Sequence, residues 1–163
     1  MPVTRRQLAR LAEVITKRTD ISDLEKPEFL SILEYPEEAA DFLADKFFDP
    51  YFPQAVFDVL APDGKTWTLV ITPHARIEVI LDGISEGLLV KLFTRILSFR
   101  YEQRTPLEYK RYIFTDASRQ PAFSMVTLIQ LPDTQTHRAL VVTAYAGRPK
   151  AGEPGARVIV SGA

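Results

Sequence analysis

The chain contains no cysteine. Disulfide frameworks and thiolate metal sites are thereby excluded, and the composition fits a reducing compartment. Histidine is scarce, with two in 163 residues. Without cysteine or a His-Glu-x-x-His pattern no zinc site is expected, and nothing calls for a metal or a cofactor. Seven glycines are present, and they form no glycine-rich phosphate loop. Neither sign of charge dominates. Twenty basic and 21 acidic side chains leave a net charge of -1, so the global basic signature of a nonspecific nucleic-acid binder is missing. A local basic patch stays open. No apolar run reaches the length of a membrane span, and no apolar core follows Arg5, Arg6 and Arg10 as a signal peptide requires. These absences point to a soluble, cytoplasmic protein with no membrane partner.

What is present is an ordinary globular balance, 46% hydrophobic and 25% charged. The length suits one domain over residues 1–163. Thr4 and Gln7 have the spacing of a capping box, and Leu8, Leu11, Ala12 and Ile15 then repeat at helical period. A second short helix is expected over 27–33. A third starts at Pro36, with Ala39, Phe42, Leu43 and Phe47 as its apolar face. Strands follow at 56–60 and 67–71 around the turn residues Pro62-Asp63-Gly64-Lys65. Thr72-Pro73 caps and starts a short helix that Gly83 stops, and Ser85 caps a longer one. Three strand segments finish the pattern, over 110–115, 123–131 and 138–146, with turns at 116–120 and 132–136. The fold class is α+β: N-terminal helices over 1–50, then a mainly antiparallel sheet of about five strands in a core over 55–148. Residues 149–163 are expected to form a flexible C-terminal arm, with Val158 to Val160 as a loose end or an edge strand.

Three constellations carry candidate chemistry. The first is Thr72-Pro73-His74-Ala75-Arg76. Histidine is the side chain best suited to proton transfer near neutral pH, and a helix start beside it helps hold an anion. Arg76 supplies a guanidinium for a phosphate. The second is Val141-Val142-Thr143-Ala144-Tyr145, where alternation puts Thr143 and Tyr145 on one sheet face as hydroxyl donors. The third surrounds the strand at 110–115. Arg100, Arg104, Lys110, Arg111 and Arg119 are interleaved with Tyr101, Tyr109 and Tyr112, a composition suited to phosphates and stacked bases. Tyr109, Lys110 and Arg104 are its candidate substrate-binding residues. Each constellation also has a plainer account: a surface histidine, an amphipathic strand, and a solvated edge kept soluble by charge. Ser85, Ser98, Ser118 and Ser124 lack a nucleophile-elbow context.

Taken in order, His74-Ala75-Arg76, Gly83-Ile84-Ser85, Tyr109 with Arg111, and Val141 to Tyr145 give the second half of the chain a family likeness. It resembles small toxin-like and phage-associated domains of the barnase/EndoU/colicin/RelE-type ribonuclease superfamily. The likeness spans about residues 67–148 and leaves out the N-terminal helices. It implies a metal-independent ribonuclease in which the 2'-hydroxyl of the RNA attacks the neighbouring phosphate. His74 would be the general base, Arg76 and Arg111 would bind the phosphate, and Thr143 and Tyr145 would hold its oxygens or donate a proton. Two positions depart from the pattern. Asp82 stands where such domains often carry a basic residue, and His137, the obvious second proton carrier, falls in an expected turn. A noncatalytic interaction protein of the same fold, such as an immunity or phage accessory factor, is one alternative. A small-ligand binder in the sheet cavity is another. The partners in view are RNA, a protein or a small molecule, and the sequence does not fix the oligomeric state.

Overall fold

The structure, a computed structural model, describes residues 5–35, 53–130 and 137–161. Thr4 of the capping box, the helix expected from Pro36 and the turn at 132–136 lie outside the described residues. Two helices open the chain, α1 (Arg5–Lys17) and α2 (Glu25–Leu33). A hairpin of β1 (Ala55–Leu60) and β2 (Thr66–Ile71) follows, then helices α3 (Pro73–Leu81) and α4 (Glu86–Glu102). Strands β3 (Arg111–Asp116), β4 (Phe123–Gln130), β5 (His137–Ala146) and β6 (Ala156–Val160) complete it.

The fold is α+β, and one six-stranded sheet in the order β1-β2-β5-β4-β3-β6 carries all the described strands. It has six strands rather than about five and is mixed, with three of its five pairings antiparallel. β1–β2, β5–β4 and β4–β3 pair antiparallel, whereas β2–β5 and β3–β6 pair parallel. The parallel pairs arise because β5 returns beside β2 and β6 crosses to the far edge. Of the two expectations for Val158 to Val160 the edge strand holds, so the flexible arm expected over 149–163 is a paired strand at 156–160. Val158 and Val160 are buried against the core, and that burial makes residues 156–160 a strand.

Local chemistry sets the crossover from β2. The Thr72 side chain accepts a hydrogen bond from the Ala75 N–H at 3.2 Å, and Pro73 takes the first helical position, where its missing N–H costs nothing. Gly83, at φ 70°, ends α3 in the left-handed region. A β-carbon there would also meet the Arg10 guanidinium at 2.9 Å. Ser85 then caps α4 by accepting from the Leu88 N–H.

Two apolar clusters hold these elements. In the larger, Leu89, Leu92, Phe93 and Ile96 of α4 pack on one sheet face against residues such as Leu69, Ile71, Phe114 and Val141. Phe93 meets the Trp67 ring edge-on at 5.7 Å between centroids. In the smaller, Leu8, Leu11 and Ile15 of α1 and Leu33 of α2 meet Ile77 and Leu81 of α3. Burying each such side chain stabilises the fold by roughly 1.5–3 kcal/mol. No helix among the described residues is long and apolar enough to cross a membrane.

Candidate functional site

Helix α3 turns about 100° per residue, so positions four apart share a stripe. Ala75 and Val79 form one stripe and enter the larger cluster. Ile77 and Leu81 form another and enter the smaller. Both apolar sides of the helix are thus occupied. His74, Glu78 and Asp82 make a third stripe, which lines an open hollow of about 900 Å³.

β5 forms the facing wall. An irregularity in its pairing with β4 leaves Val142 without a partner, since Val126 opposes Thr143 while Thr127 opposes Val141. Beyond it the alternation resumes, and Thr143 and Tyr145 both line the hollow, as their spacing predicts. Arg148, Lys150 and Glu153 from the loop between β5 and β6 close the third side. That loop is tied down. Tyr145 donates its hydroxyl to Glu153 Oε2 at 2.7 Å, and the Lys150 N–H reaches the same oxygen at 3.2 Å. Arg157 donates to the Lys150 carbonyl at 2.7 Å. Gly155, at φ 134°, lets the chain pass where a β-carbon would lie 3.0 Å from Ile113.

The electrostatics sort the carboxylates by role. Asp82 accepts from Gln7 Nε2 on one oxygen and from the Ala146 N–H on the other, both at 2.9 Å. It is a clamp between three segments, and its charge is engaged there. Glu153 is engaged by the loop. Glu78 is left facing His74, with Nε2 3.7 Å from Oε1. Burial pushes the Glu78 carboxyl above the usual range, His74 pulls it back, and Asp82 adds to the rise. Burial, followed by the hydrogen bond to Glu153, pushes the Tyr145 phenol up to about 12. Arg148 and Lys150 have no ion-pair partner among the described residues. The hollow therefore combines a proton acceptor, the Thr143 hydroxyl and two available cations, with the Tyr145 hydroxyl committed to Glu153.

Other residues expected at the site lie elsewhere. Two residues along a helix is about 200° of rotation, so Arg76 points away from His74. It bonds Glu86 Oε1 and the Pro53 carbonyl. Arg111 sits two strands from β5 and donates to the Pro154 carbonyl at 3.2 Å, bracing the loop from behind. Tyr109 and Lys110 precede β3, so strand alternation does not reach them. Tyr109 is exposed, while Lys110 lies over the Tyr112 ring at 5.2 Å and pairs with Glu108. Tyr112 is buried and stacks on Phe114, so no base can stack on it. Arg104 and His137 line a different hollow, and His137 opens β5 rather than lying in a turn.

Glu78, Arg148 and Lys150 escape the sequence reading. Glu78 stands four residues after His74, a spacing that signals a shared helix face. Arg148 and Lys150 sit in a Gly- and Pro-rich stretch that resembles a mobile tail. No protein-family model, no curated protein and no solved structure matches this chain.

Proposed function

We propose that the hollow between α3 and β5 cleaves RNA without a metal ion. The observation that carries this reading is the gathering of His74, Thr143 and Tyr145 with Arg148 and Lys150 around one open space. Arg148 and Lys150 take the place of Arg76 and Arg111 as the phosphate clamp. His74 takes the proton from the 2'-hydroxyl, whose oxygen then attacks phosphorus. The bond to the 5'-oxygen breaks and a 2',3'-cyclic phosphate forms. Glu78 faces the imidazole and favours the imidazolium produced. Thr143 donates a hydrogen bond to a non-bridging oxygen, while Tyr145, whose single hydroxyl proton is given to Glu153, holds the loop that carries Arg148 and Lys150.

His74 and Glu78 are too close together to flank an in-line displacement. They form one base unit, and the leaving oxygen takes its proton from solvent. A placed acid is worth on the order of 10²–10⁴-fold, so a modest rate is expected. Incubation with total RNA in EDTA should yield fragments ending in cyclic phosphate, and His74→Ala should abolish them. A folded wild-type protein that leaves RNA intact under these conditions sinks the reading.

A second reading, ligand binding without turnover, is favoured by the engagement of Arg76 and Arg111 elsewhere. It applies if RNA and its 2'-deoxy analogue bind equally well and neither is cut.

A further inference from the structure

The geometry points to a second site, for a small molecule that joins a flat apolar body to one anionic group. It lies at the other end of the β2–β5 pair. Trp67 pairs with His137 at that end, whereas Ile71 pairs with Val141 at the end nearer His74. The site is a hollow of about 530 Å³ between the β1–β2 turn and the C-terminal end of α4.

Its wall and its rim differ in character. Trp67, Leu97 and Leu107 are buried apolar residues that line it. The His137 ring meets Trp67 edge-on at 4.9 Å between centroids, which fixes both rings. Lys65, Arg100 and Arg104 supply three cations. Asp63 is the single carboxylate among the described lining residues, and its Oδ1 already accepts from the Lys65 N–H within the turn. An apolar pocket with a few convergent charges is the usual form of a small-ligand site.

One observation calls for an anion, and a second places a further cation beside it. Arg100 Nε is buried and has no hydrogen-bond partner among the described residues. Buried donors are ordinarily satisfied, and a charged donor without an acceptor is costly. The second is the backbone of Arg104. It follows the C-terminal cap of α4 at φ 55°, the left-handed position where glycine is favoured. The long cationic side chain of Arg104 stands at the mouth of the hollow. A carboxylate and a phosphate share the chemistry these groups recognise, and the aromatic wall adds the requirement for a flat body.

Trp67 is the single tryptophan of the chain and lines this hollow, so its emission follows binding there without overlap from another indole. Phenyl phosphate and benzoate serve as the two anionic probes, with benzyl alcohol as the neutral counterpart. At least one anion should change the Trp67 emission saturably and bind about tenfold or more tighter than benzyl alcohol, and the tighter anion identifies the natural anionic group. Arg104→Gln and Arg100→Gln should each weaken that binding by about tenfold. Arg100 also lies over the Tyr112 ring at 5.8 Å, so the exposed Arg104 provides the variant that leaves the core untouched. Lys91→Gln, on the exposed side of α4, should bind as wild type. The site is overturned if neither anion gives a saturable change, if benzyl alcohol binds equally well, or if folded Arg104→Gln binds as tightly as wild type.

Discussion

Tyr145 shows how one side chain can serve both loop and site. Its hydroxyl is bound to Glu153, and that bond holds the loop presenting Arg148 and Lys150. The phenol titrates higher in the fold, at about 12, than its ordinary value of 10. A raised pKa means that the protonated form belongs to the native state. Its contribution is therefore complete below pH 10 and lost as pH rises through about 12. Tyr145→Phe removes a hydrogen bond to a carboxylate and should cost about 1 kcal/mol at neutral pH. Urea unfolding of both proteins at about pH 8 and about pH 12 should show the gap closing at the higher pH. A gap of constant size would mean that the Glu153 contact contributes nothing to stability.

Elements were more legible than the positions of side chains around them. The caps Thr72 and Ser85 and the stop at Gly83 mark α3 and α4 within a residue or so of where they lie. The hairpin turn and the alternating hydroxyls of β5 were equally plain. Two things were not. Adjacency of Arg76 to His74 in sequence suggested a shared site, but helical rotation separates them. The edge strand was one of two readings of Val158 to Val160, but its parallel partner was hidden, because a five-residue run in a Gly- and Pro-rich tail has no local signature of the strand it joins, and β6 exists through the edge of β3. The end of α4 yields a prediction at this scale. Arg104→Gly should stabilise the protein by about 1 kcal/mol, because glycine enters the left-handed region without the strain of a β-carbon. The same change should weaken binding of the better anionic probe. A thermal melt beside a Trp67 titration reads both effects. Lower stability in the glycine variant would show that the Arg104 side chain supports the fold rather than a ligand.

In the molecule as a whole, the hollow near His74 depends on three distant parts of the chain meeting at one carboxylate. Asp82 joins α1 through Gln7 to the end of β5 through Ala146, and Arg10 adds a bond to the Leu81 carbonyl at 2.9 Å. The smaller apolar cluster brings α1 to α3, but apolar contact alone does not fix how one helix slides on another. The hydrogen bonds supply that register. A basic residue at position 82 would add charge for a phosphate and lose both acceptors, so in this chain the position serves the frame. Asp82→Ala should cost about 1–3 kcal/mol, the range for hydrogen bonds to a partly exposed charge. Hydrogen exchange should quicken throughout α1, while the central strands β4 and β5 keep their protection, because their contacts lie in the larger cluster. Asp82→Asn keeps one acceptor oxygen and should fall between the two. If Asp82→Ala melts like wild type and α1 keeps its protection, the apolar cluster alone fixes α1, and the wall that Gln7 contributes to the hollow does not depend on this clamp.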